Sequence, residues 1–90
     1  MTQDATEHRA WSELSATTQA ALRCKEPIFW AFLRESGFTT RKIESEETAA
    51  EVVRAVCEVE SRRELAEHSI AQAIWHDIDG LYQAWKAREQ

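Results

Sequence analysis

Apolar positions recur along this chain at intervals of three and four residues, the spacing that lines one side of an α-helix. Trp11, Leu14, Thr18, Ala21 and Leu22 form the first stripe, and Ile28 to Leu33 form a block that is apolar almost all round. Ala49, Ala50, Val53, Val56 and Cys57 make a narrow stripe of small side chains. Ile70, Ile74, Trp75, Ile78, Leu81, Tyr82 and Trp85 fall within one wide arc, with His76, Asp79, Gln83 and Lys86 pointing away from it. The pattern predicts an all-α fold: a compact bundle of four to five helices in a single domain over 1–90, with helices at roughly 5–25, 27–36, 46–57, 62–67 and 70–88.

The punctuation agrees with the periodicity. Asp4 and Glu7 have the spacing of a capping box, while the Ser15 to Thr18 cluster would delay the first helix or split it. Pro27 disfavours helical geometry in Glu26 yet suits the first position of a new helix, so one helix ends and another begins there. Gly37 supplies a left-handed cap, and Phe38 is placed to fold back on the preceding turn. Ser45 is a fair N-cap. Ser61-Arg62-Arg63-Glu64 reads as a reciprocal capping box that opens a short helix at Arg62, and Ser69-Ile70-Ala71-Gln72 opens a long one. Gly80 lies inside that last helix, at a cost of about 1 kcal/mol relative to Ala, on its outer face where a backbone or a partner could approach.

A chain of 90 residues has room for one modest core, and four Trp, three Phe and one Tyr supply much of its volume. Cys24 and Cys57 sit among apolar neighbours and read as buried free thiols; a disulfide needs an oxidising compartment and a zinc site needs four ligands. No apolar run reaches the roughly 18 residues that a membrane span requires, and Met1 to Arg9 lacks a basic region followed by a hydrophobic one. A cytoplasmic protein without a membrane role is expected.

Leu22-Arg23-Cys24-Lys25-Glu26-Pro27, Phe29-Trp30, Phe32-Leu33, Ala49-Ala50, Cys57, Ser61-Arg62-Arg63-Glu64-Leu65, Ala71 and Trp85 together resemble small uncharacterised helical accessory proteins of phages and prophages. The resemblance covers Leu22 to Trp85, and Ser61 to Leu65 is its most specific element. It implies a setting near replication and recombination functions, inside a host cell, and no particular chemistry.

Charge is distributed unevenly. Between Glu44 and Glu67 stand eight Glu against three Arg, which accounts for the whole net charge of −5. Such a face repels nucleic acid and attracts basic surfaces, such as the nucleic-acid channel of another protein; it also serves simply as a solvated surface. Glu44, Glu46, Glu47, Glu51, Glu58 and Glu60 are therefore the candidate protein-binding residues. Arg41, Lys42, Arg62 and Arg63 are an alternative phosphate-binding set, or else partners for the neighbouring glutamates. His76, Asp77 and Asp79 supply too few ligands for a metal and no nucleophile accompanies them, so neither an enzyme nor a cofactor is expected. Trp11, Trp30 and Trp75 read as core, with one indole left partly exposed as an interface anchor, in a monomer or a homodimer. The expected function is non-enzymatic: binding and modulating a host or phage nucleic-acid-handling complex, a class that includes host-defence inhibitors such as anti-CRISPR proteins. The alternative is an accessory DNA- or RNA-binding protein of replication or recombination.

Overall fold

The computed structural model describes residues 10–89 and builds them from a short 3-10 turn, Trp11–Glu13, and five α-helices, without strands among the described residues. The helices are α1 (Ala16–Cys24), α2 (Pro27–Glu35), α3 (Glu46–Cys57), α4 (Glu64–Glu67) and α5 (Ser69–Glu89).

The expected first helix over 5–25 is shorter than the periodicity predicted. Ser15 is extended and its hydroxyl accepts the amide of Thr18 at 3.1 Å, so the serine caps α1 rather than lying within it. Trp11 is separated from α1 by this break, and residues 5–9, with the proposed cap at Asp4 and Glu7, lie outside the described residues. The later start also changes the buried face: Ala16, Gln19, Ala20, Arg23 and Cys24 point inward, while Thr18 and Leu22 are exposed.

Pro27 opens α2 as expected, with Glu26 extended before it. At the other end Gly37 takes φ +83°, its amide reaches the carbonyl of Arg34 at 3.2 Å, and the Phe38 amide reaches that of Leu33 at 3.0 Å. These two bonds form a Schellman cap, and Phe38 completes it by packing on Phe32 with ring centroids 5.7 Å apart. Helix α2 is not buried all round, since Ile28 faces solvent.

Ser45 caps α3 by accepting the Thr48 amide at 3.1 Å. The helix ends in a second Schellman cap with no glycine in it: Glu58 adopts φ 60°, and Val59 donates to the Arg54 carbonyl at 3.0 Å. The reciprocal capping box expected at Ser61 does not form. Glu64 instead accepts the amide of Glu60 at 3.2 Å, so residues 61–63 make a turn and α4 starts at Glu64 rather than Arg62.

Small residues of α1, namely Ala16, Ala20 and Cys24, are buried as are Ala49, Ala50, Val53 and Cys57 of α3, and the two helices pack together. Phe29 and Phe32 of α2 meet Trp75 and Tyr82 of α5, with the Phe29 and Tyr82 rings edge to face at 5.0 Å. Full burial of each such ring contributes on the order of 1.5–3 kcal/mol.

The seam between α1 and α5 is polar. Trp75 Nε1 donates to Gln19 Oε1 at 2.8 Å, Arg23 Nε donates to Asp79 Oδ1 at 2.7 Å, and Tyr82 Oη donates to Glu26 Oε1 at 2.8 Å. Each pair is 56 residues apart, so the two segments run parallel in fixed register. Asp79, expected to point outward, is only 4% exposed because this register carries it onto Arg23. It also accepts Trp11 Nε1 at 2.6 Å and Gln83 Nε2 at 2.8 Å, and the Arg23 guanidinium lies 4.0 Å over the Trp11 ring. Burial, followed by the Glu26 hydrogen bond, raises the Tyr82 hydroxyl above its ordinary pKa.

Candidate functional site

Two open grooves border α3, one toward each end of the helix. The first, of about 470 Å³, has Ser45, Glu46, Glu47 and Ala50 from the start of α3 on one side. Arg54 and Arg62 complete its lining. Arg62 is turned into the protein, where its carbonyl accepts Thr17 Oγ1 at 2.7 Å and its Nη1 is buried without a hydrogen bond. Among the described residues, neither Arg54 nor Arg62 has a carboxylate within 4.0 Å. The groove thus presents guanidinium and carboxylate groups side by side, which suits a partner with charges of both signs better than a polyanion.

The second groove, of about 250 Å³, arises because the left-handed Glu58 stops α3 abruptly and the extended His68 separates α4 from α5. Cys57, Val59, Ala71 and Ile74 give it an apolar floor. Glu58, Glu64, His68 and Ile70 form the more exposed rim. Ile70 is 77% exposed, although the periodicity of α5 placed it in the buried arc. The buried stripe of α5 runs through Ala71, Trp75, Ile78, Asp79 and Tyr82, which leaves Ile70 on the open side of the helix. Leu81, in the same arc, is 56% exposed.

The candidate glutamates are divided between these two ends. Glu46 and Glu47 stand exposed in the first turn of α3, whereas Glu58 and Glu60 are exposed beyond its last turn. A helix of 12 residues separates the two groups by roughly 18 Å. The other two are engaged by cations: Arg41 Nη2 lies 3.0 Å from Glu51 Oε1, and Lys42 Nζ lies 3.2 Å from Glu44 Oε2. Arg63 is 3.9 Å from Glu67 and fully on the surface side, so three of the four basic candidates face carboxylates and the fourth, Arg62, turns inward. Exposed pairs of this kind contribute about 0–1 kcal/mol each.

Cys24 and Cys57 are free and buried. Burial pushes each thiol up to about 11; at Cys24 the nearby Arg62 and Arg54 oppose that rise and Glu46 adds to it. His76 and Asp77 are exposed while Asp79 is consumed by its three donors, so these neighbours in sequence are not gathered into one site. Among the described residues, no group of three or more His, Cys, Asp or Glu is placed to hold a metal ion. The indole N–H groups of Trp11, Trp30 and Trp75 are all hydrogen-bonded, and Trp75 is wholly buried.

No helix among the described residues is long and apolar enough to cross a membrane. Comparison of the chain with known protein families, with curated proteins and with solved structures finds no match. Of the residues lining the second groove, charge and motif pick out neither Val59 nor His68, whereas Glu64 is part of the acidic stretch and of the expected Ser61 capping box, and periodicity places Ile70 in the buried arc of α5.

Proposed function

We propose that this chain is a non-enzymatic, phage-type accessory protein that binds and modulates a protein complex handling nucleic acid, with acidic helical surface as the contact. Host-defence inhibitors such as anti-CRISPR proteins are one instance of that class. The observation that carries the reading is the set of exposed carboxylates at both ends of α3: Glu46, Glu47, Glu58 and Glu60 have no cation within 4.0 Å among the described residues. Carboxylates without a cation partner favour a basic protein surface, speed encounter with it and repel phosphate; this holds most strongly at Glu58 and Glu60, since the groove beside Glu46 and Glu47 also carries Arg54 and Arg62. Direct nucleic-acid binding through Arg41, Lys42, Arg62 and Arg63 is less well supported, since Arg41 and Lys42 face Glu51 and Glu44, Arg62 turns inward, and Arg63, only loosely held at 3.9 Å from Glu67, is left as a single exposed cation.

The test is affinity capture from a phage host, with mass spectrometry, alongside the quadruple variant E46K/E47K/E58K/E60K. The reading expects capture of a nucleic-acid-handling protein that weakens as salt is raised and is lost in the variant. Capture indifferent to the four reversals sinks it, and tight, steeply salt-dependent binding of duplex or single-stranded nucleic acid by the chain alone replaces it with the alternative.

A further inference from the structure

We propose that the groove at the C-terminal end of α3 is a slot for an apolar side chain presented by a basic amphipathic segment of a partner protein; this rests on the acidic-surface reading and assigns it a place and an anchor. Three features converge there. The floor is apolar, formed by Cys57, Val59, Ala71 and Ile74, and its wall carries Ile70, 77% exposed and the most exposed large hydrophobic side chain among the described residues. At about 250 Å³ the slot lies below the roughly 300–1,000 Å³ of small-molecule sites and is of a size for a side chain or two.

The rim settles the sign of the partner. Glu58 and Glu64 line the groove, Glu60 is joined to Glu64 through its amide, and Glu67 follows in α4. The one cation paired with any of them is Arg63, at 3.9 Å from Glu67 and 84% exposed, a contact too loose to neutralise the rim. A second copy of this chain is a poor occupant, because a two-fold contact would set the same carboxylates against one another on a molecule of net charge −5. A segment with Leu or Met on one helical face and Lys or Arg beside it satisfies both floor and rim, laid in as amphipathic helices are laid into apolar grooves.

The rigid corner that holds the slot has a stated cause. Glu58 in the left-handed region ends α3 and fixes Val59 by the bond to the Arg54 carbonyl, while buried Leu65 pins α4 to the core. The groove is therefore formed before the partner arrives, which lowers the ordering cost of binding.

The experiment titrates the ¹⁵N-labelled protein with two synthetic helical peptides of equal positive charge, one bearing Leu along one face and the other Ser in its place. The Leu peptide is expected to shift the amides of Val59, His68, Ile70 and Ile74 saturably and to bind at least about tenfold tighter than the Ser peptide. I70S, a change at an exposed position, should lower the Leu peptide to the affinity of the Ser peptide while leaving the latter unaltered. Equal binding of the two peptides, shifts confined to other surfaces, or indifference to I70S overturns the slot. In those cases the acidic-surface reading stands if E58K/E60K or E46K/E47K abolishes the salt-sensitive binding, and it falls as well if neither peptide binds.

Discussion

Removing the Asp79 carboxylate should unfold much of what holds this bundle together. The side chains of Arg23 and Asp79 are 10% and 6% exposed, with Nε and Oδ1 2.7 Å apart. In D79A the Arg23 guanidinium would remain buried against Trp11 and Tyr82 with its nearest remaining carboxylate, Glu26, at 3.7 Å. Breaking a buried pair from one side costs about 3–5 kcal/mol, a large part of the roughly 5–15 kcal/mol by which such proteins are stable. At about 4–8 °C per kcal/mol for this size, the thermal midpoint should fall by roughly 12–40 °C. Thermal and urea unfolding, followed by tryptophan fluorescence and circular dichroism, measure the loss. The double variant R23M/D79L removes both charges and should regain part of it, the remainder being the Trp11 and Gln83 hydrogen bonds that also end on Asp79. A D79A protein within about 1 kcal/mol of the parent would refute the claim of a desolvated ion pair. A double variant as unstable as D79A would assign the loss to packing instead.

E58G should stabilise the protein by about 0.5–1 kcal/mol, because Glu58 at φ 60° carries a side-chain strain that glycine lacks; a denaturant midpoint that stays put or falls counts against this. G80A should add about 1 kcal/mol, since the added Cβ meets nothing within 4 Å on an exposed helix face, and a lower melting temperature would show a constraint there that the geometry lacks. Both thiols should resist alkylation in the native state at neutral pH and react only as the protein unfolds. Because burial raises each from 9.0 to about 11, the unfolded chain ionises first; their contribution to stability is complete below about pH 9 and is lost as pH rises toward 11. A flat stability profile across that window would contradict the sign.

Sequence periodicity located the helices because their boundaries rest on local chemistry. Pro27, Gly37 and Ser45 act on their own turn, and each does in the structure what its residue type implies. What periodicity misplaced depends on distant partners. Asp79 looked like an outward polar residue because nothing in α5 announces Arg23, and the first apolar stripe left out Gln19 and Arg23, whose partners Trp75 and Asp79 lie 56 residues further on. Glu64 was assigned to Ser61, yet the left-handed turn at Glu58 brings the Glu60 amide to it first. The acidic stretch was legible as charge. Its division into two groups and the apolar groove beside one of them were not, because both follow from where α3 stops and α5 begins.

The parallel seam between α1 and α5 also constrains the order in which the molecule is made. Its three rungs join residues 19, 23 and 26 to residues 75, 79 and 82, so the early half of each rung leaves the ribosome long before its mate. Until then Arg23 has no Asp79 to lie against, and burying its guanidinium alone would cost the penalty of an unpaired charge. A chain truncated ahead of Asp79 would therefore lack two of the three rungs and leave Arg23 without its buried carboxylate.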